Sequence, residues 1–145
     1  MPDSEEKLDE REAVERLNTA LTLQYRSALQ YSLTAASLVG IEAQALGAQL
    51  TGFGDKELSD ARRLIEKIIS FGGEPTTEVA ELRFDAAAQG AVRWLAECEE
   101  AAVEALQEAI EPTGRDGRSE ALEHLMEHLI LRKQHQVDFL NRAVG

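Results

Sequence analysis

Six polar residues interrupt apolar stripes that otherwise repeat at helical spacing: Gln24, Glu57, Asp60, Glu99, Lys133 and Gln136. Four of them form i, i+3 pairs, Glu57 with Asp60 and Lys133 with Gln136, a spacing that sets both members on one helix face. Two chemistries suit this set. Glu57, Asp60 and Glu99 could hold one hard divalent ion, because such ions take carboxylate oxygens. The same carboxylates could instead meet Lys133, Gln24 and Gln136 in a self-satisfied polar network that fixes helix register without metal. If the layer is interior, one of the two must operate, since buried polar groups are costly without partners. Tyr31 lies seven residues after Gln24 on the same stripe, near enough to take part.

The elements that must position these residues follow from chain punctuation. Asp3-Ser4-Glu5-Glu6 reads as a cap with acids in the first turn, and the pattern then runs to Leu38 before Val39-Gly40 stops it. A second helix spans about 41–71 and ends at Gly72-Gly73-Glu74-Pro75, a C-cap and stop. Residues 72–85 lack a helical period and serve as a long connection. A third helix follows over 86–110, a break at 111–117, and a fourth over 119–144, capped by Ser119. The stripes run Val14, Leu17, Leu21, Gln24, Ala28, Tyr31 in the first helix and Leu50, Phe53, Glu57, Asp60, Leu64, Ile68 in the second. Val92, Leu95, Glu99, Ala102, Leu106 and Leu122, Met126, Leu129, Lys133, Gln136, Leu140 continue the rule in the third and fourth. Every interruption falls within about a turn of its helix midpoint, so antiparallel packing predicts one polar layer at mid-bundle. The expected fold is all-α, a single domain over 1–145 built as a four-helix bundle with one long crossover.

Composition sets the outer bounds. Twenty-seven acidic against 15 basic residues give a formal charge of −12, which repels phosphate backbones and anionic lipid and excludes nucleic-acid and membrane-surface roles. No apolar run is long enough to span a bilayer. The single cysteine, Cys98, and a start without a basic-then-apolar leader predict a cytoplasmic location. Cys98 reads as a helix-flank residue, and Tyr25 and Trp94 as packing or dimer contacts. His124, His128 and His135 each sit two residues beyond a stripe position, so they point away from the core toward solvent or an assembly contact.

One helix giving one ligand, twice, and one helix giving an i, i+3 pair, twice, is the ligand pattern of di-iron carboxylate bundles. The stretches LNTALTLQYRSALQY, KELSDARRLIEKIISFGGEP and AIEP, across nearly the whole chain, resemble the bacterioferritin branch of the ferritin-like superfamily. The resemblance implies a glutamate on the first helix, Glu-x-x-His on the second, a glutamate on the third and a second Glu-x-x-His on the fourth. Those positions are Gln24, Glu57 with Asp60, Glu99, and Lys133 with Gln136, so two of six ligands are kept and Asp60 is a further ligand type. The ferroxidase (di-iron) site therefore reads as degenerate, with Lys133 supplying positive charge where metal would sit, a change that resembles light-chain ferritin subunits. The family's haem methionine, directly after the glutamate of the second helix, is Leu58 here, so haem is not expected. Only nine residues follow Gln136, so no short fifth helix is expected. The resemblance implies self-association, as a dimer through the outer faces of the first two helices or as a larger oligomer, and a catalytic ferritin-like subunit as a partner.

The expected function is iron storage or metal handling without ferroxidase activity, with no catalytic residue and at most one iron or other divalent ion at Glu57, Asp60 and Glu99. The alternatives are a metal-free pseudo-enzyme scaffold for dimerisation and partner binding, a single-divalent-metal protein, and an oxidase using one metal with Tyr31 beside it.

Overall fold

The computed structural model describes residues 8–110 and 117–144. Four helices make up the described fold, α1 (Glu10–Ser37), α2 (Ile41–Ser70), α3 (Ala88–Ile110) and α4 (Gly117–Val144). Sequence and structure differ at three helix starts, the third helix beginning at Ala88 and not at residue 86. Leu8 and Asp9 are not helical, and Asp9 is the N-cap of α1, its side chain accepting from the Glu12 amide at 3.2 Å. Leu8 is largely buried, so packing holds Leu8 out of the helix. The predicted cap at Asp3-Ser4 lies outside the described residues. In α4, Ser119 sits inside the first turn, fully buried, and the residue before Gly117 lies outside the described part.

Two glycines do conformational work. Gly40 has φ 91° between α1 and α2, and Gly72 has φ 79° after α2. At the second, the Gly72 amide donates to Ile69 O at 2.9 Å and the Gly73 amide to Ile68 O at 3.0 Å, closing the end of α2 on a left-handed residue. Despite Gly47, Gly52 and Gly54, α2 is one continuous helix.

The crossover runs along α1 from its early turns to its later ones. Asn18 donates to Glu74 O at 3.0 Å and accepts from the Thr76 amide at 2.8 Å, and Tyr25 donates to Thr76 O at 3.0 Å. Gln30 accepts from the Arg83 amide at 3.0 Å and donates to Arg83 O at 2.7 Å. The same Gln30 oxygen receives Trp94 Nε1 at 3.0 Å, and Arg83 stacks 3.9 Å from the Trp94 ring centroid. The crossover thus returns the chain to the end of the bundle where α1 finishes, so α3 runs parallel to α2. α1 packs against both α2 and α3, and α4 against α3.

Two apolar clusters fill the bundle. One holds Leu17, Leu21, Leu64, Ile68, Leu106, Leu122, Met126 and Leu129. The other, toward the opposite end, holds Tyr31, Leu50, Phe53, Val92, Leu95 and Leu140. In sequence, the polar interruptions fall between the members of these two clusters on every helix.

Candidate functional site

The stripe pattern turns Gln24, Glu57, Asp60, Glu99, Lys133 and Gln136 inward, and each is at most 1% exposed. Five of the six are hydrogen-bonded together. Lys133 Nζ donates to Glu57 Oε2 at 2.6 Å and to Glu99 Oε1 at 2.9 Å, joining α4 to α2 and α3. Gln136 Nε2 lies 2.6 Å from Glu57 Oε1 and 2.6 Å from Glu99 Oε2, so ammonium and amide bridge the same two carboxyls from successive turns of α4. Gln24 Nε2 donates to Glu57 O at 2.8 Å and to Glu57 Oε2. Tyr31 completes the set by donating its hydroxyl to Glu99 Oε2 at 3.0 Å, with Gln136 Nε2 3.3 Å from that hydroxyl. Tyr31 itself is wedged edge-on against Phe53, with centroids 5.8 Å apart.

Asp60 is at the same level but outside this network. Its Oδ1 accepts from Arg132 Nη1 at 2.9 Å, and its Oδ2 is buried with no partner. Arg132 continues outward to His128, with Nη2 3.0 Å from His128 Nε2. The sequence reading gave Asp60 the same counter-ion as Glu57 and Glu99, Lys133; the structure gives Lys133 to the two glutamates and pairs Asp60 with Arg132 instead. Three buried carboxylates are more than one ammonium can neutralise, and Arg132 flanks the α4 stripe. His124, His128 and His135 are all exposed. Cys98 is fully buried, and burial first, against the opposing charge of Arg26, pushes its thiol up to about 11, away from nucleophilic chemistry.

Electrostatics within the layer are set by two carboxyls facing each other. Burial pushes Glu99 up to about 8; the Lys133 charge opposes this, while the charge and hydrogen bond of Glu57 add to it. Glu99 is therefore largely protonated at neutral pH. Burial also acts to raise Glu57, but the Lys133 charge and hydrogen bonds from Glu99, Lys133 and Gln136 outweigh it and hold that carboxyl below its ordinary value. For Lys133 the order is reversed: burial acts to lower its pKa, and the charges of Glu57 and Glu99 raise it instead. Asp60 is raised by burial, with Arg132 opposing and Glu57 adding. Tyr31 is raised far by burial and by the charges of Glu99 and Glu57, so it is a fixed donor. The resulting protonation at pH 7 is Lys133⁺ with Glu57⁻ and a neutral Glu99, while Asp60 pairs with Arg132 beside them.

Among the described residues no group of three or more His, Cys, Asp or Glu side chains is arranged to hold a metal ion, and no helix is long and apolar enough to cross a membrane.

A four-helix bundle with one long crossover and inward carboxylates at mid-height defines the class of ferritin-like carboxylate bundles. The chain belongs to the ferritin-like domain family, which matches residues 14–145. No curated protein matches the sequence. Its fold is similar to that of a ferritin-like, diiron-carboxylate protein from Bacillus anthracis, with a TM-score of 0.84 and 23% identity, covering 94% of this chain and 98% of that one. It is also similar to a dodecameric thioferritin, a bacterioferritin-related protein from Bacteroides fragilis, with a TM-score of 0.84, 17% identity and coverage of 98% and 92%. A bacterioferritin from Rhodobacter capsulatus, with a metal-free dinuclear site and haem iron, gives a TM-score of 0.79, 20% identity and coverage of 95% and 86%.

Proposed function

We propose that this chain is a ferritin-like protein of iron storage or metal handling that does not itself oxidise iron, its mid-bundle layer closed by protein cations where di-iron relatives bind metal. The observation that carries this reading is the buried ammonium of Lys133, 2.6 Å from Glu57 and 2.9 Å from Glu99. A di-iron group does not fit this donor set. Two ferrous ions bring a charge of +4, and hard or borderline metals need ionised carboxylates or neutral imidazoles as ligands. Here Glu99 holds a proton, Asp60 is paired to arginine, no imidazole faces the layer, and an ammonium with no lone pair sits between Glu57 and Glu99. Iron handling in this reading falls to the acidic surface or to a catalytic ferritin-like subunit in a mixed assembly.

Self-association belongs to the same proposal. The outer face of α1 and α2 exposes Leu29 and, at 64% exposure, Leu58, with Val79 of the crossover beside them along one groove. That arrangement supports a second copy packing there. The test is metal analysis of protein purified from iron- and manganese-supplemented medium, with a ferrous oxidation assay. Sub-stoichiometric metal and oxidation at the buffer rate are expected; two metals per chain with rapid oxidation would overturn the reading.

A further inference from the structure

We infer that Arg132 is a second protein cation that holds this site shut, drawing Asp60 away from the Glu57 and Glu99 pair, so that removal of Lys133 alone frees two carboxylates and removal of both cations opens a three-carboxylate site for one hard divalent ion. The inference rests on the reading above, in which the layer is closed by protein cations, and assigns the second of them. Three observations on α2 and α4 lead to it. Asp60 is fully buried one turn from Glu57, close enough to feel the charges of both Glu57 and Lys133, yet among the described residues its side chain's only hydrogen bond goes to Arg132, Oδ1 to Nη1 at 2.9 Å. Its other oxygen, Oδ2, is buried and unpartnered, so half of a carboxylate is left unused in the interior. Arg132 is tethered on its far side by His128 at 3.0 Å and is a quarter exposed, so the guanidinium closes the layer at the surface while its neighbour in sequence, Lys133, closes it within.

The chemistry is one of ligand count. With Lys133 alone removed, Glu57 and Glu99 offer a pair of carboxylates, while Asp60 stays bound to a planar fork of donors that matches it well. With Arg132 also removed, Asp60 loses its ion-pair partner and keeps only the smaller influence of the Arg63 charge, so the cheapest way to satisfy three buried carboxylates is a divalent cation. Gln24 Oε1 and Gln136 Oε1, both buried without partners, are two further oxygens in the same layer.

The experiment is calorimetric titration with Mn²⁺ alone of the full-length wild type, Arg132→Gln, Lys133→Gln, the double variant and the double variant with Asp60→Asn. Wild type and Arg132→Gln should take up no Mn²⁺ in the layer, and Lys133→Gln should bind weakly. The double variant should bind one ion per chain about tenfold or more tightly than Lys133→Gln, and Asp60→Asn should abolish that gain. A double variant no tighter than Lys133→Gln, or a gain that survives Asp60→Asn, overturns the role of Arg132 and leaves the closed-layer reading standing. Stoichiometric Mn²⁺ in the wild-type layer overturns both. Should the metal-free double variant lose its helical circular dichroism, recovery on adding Mn²⁺ supports the inference and failure to recover overturns it.

Discussion

Lys133 Nζ stands 2.6 Å from Glu57 Oε2 with both side chains closed to solvent, and together with Gln136 on Glu57 and Arg132 on Asp60 it ties α4 to α2 through side chains. An ion pair in such a place is held by the cost of breaking it more than by a net gain in making it. Desolvating both partners is expensive, and their attraction with the surrounding hydrogen bonds roughly repays that. Remove one partner and the other stays behind, buried and charged.

Lys133→Ala is therefore expected to destabilise the fold by about 3–5 kcal/mol in urea unfolding. It leaves Glu57 without its principal counter-charge and Glu99 Oε1 without the ammonium that donates to it. A change under about 1 kcal/mol would mean that water reaches the carboxyls once the lysine is gone.

Much of this was legible in the residues. The stripes, the two glycine stops and the near coincidence of polar interruptions at the four midpoints suffice for a bundle with a polar layer, because helical period and burial are local properties. Arg132 was not legible. It lies off the stripe, and nothing in α4 alone says that its guanidinium turns toward Asp60 on α2. Gln30 was missed for a similar reason: it looks like a flank residue of α1, and its role appears only when the crossover is laid against it. The start of α1 was misplaced because Asp3-Ser4 and Asp9 both offer capping oxygens, and the packing of Leu8, a tertiary effect, favours the later one.

Stability should fall as pH rises from about 5 to 8, the reverse of the usual carboxylate behaviour. Glu99 titrates at 4.5 unfolded and about 8 folded, so across that window the native state holds a proton that the unfolded state has lost. Asp60, also raised, adds in the same direction. Glu57, lowered, contributes stability that is present above its ordinary value and lost as pH falls below it. The contribution of Lys133, raised, is intact below 10.5 and lost only above that. Melting temperature should accordingly peak on the acidic side of neutrality, and Glu99→Gln should flatten the limb between pH 5 and 8. A wild-type melting temperature that climbs across that interval would refute the assignment of the proton to Glu99.

Gln30→Ala should loosen the crossover. Its side chain satisfies the Arg83 amide, the Arg83 carbonyl and the Trp94 indole at once, so truncation is expected to cost about 1–3 kcal/mol. Trp94 is the only tryptophan, so its fluorescence reports the change directly. A red-shifted emission and faster proteolysis around residues 80–87 are expected, and an unchanged spectrum would show that Arg83 stays stacked without Gln30.

Leu58→Arg should weaken self-association with little effect on the fold. The side chain is already 64% exposed, so the isolated bundle loses almost nothing, while a second copy packed on α1 and α2 would have to bury an unpaired charge. Light scattering should show a smaller species for the variant at matched concentration. Equal masses would place the contact elsewhere on the surface.

The combination Gln24→Glu, Asp60→His, Lys133→Glu and Gln136→His should create a di-iron ligand set on this backbone, with Glu57 and Glu99 retained. Every substituted side chain is buried in the present structure, so no helix has to rotate to present the new ligands. Asp60→His also removes the carboxylate that anchors Arg132, freeing that guanidinium to turn to solvent. Without iron the variant buries four carboxyls and two imidazoles with no counter-cation in the layer, so its stability should be well below that of the wild type and should rise on adding ferrous iron. The measurement is melting temperature with and without anaerobic ferrous iron, followed by oxidation on admitting air. A folded variant that neither gains stability nor takes up iron would show that the six positions do not share one layer at metal-binding distance, even though five of the native side chains are hydrogen-bonded together there.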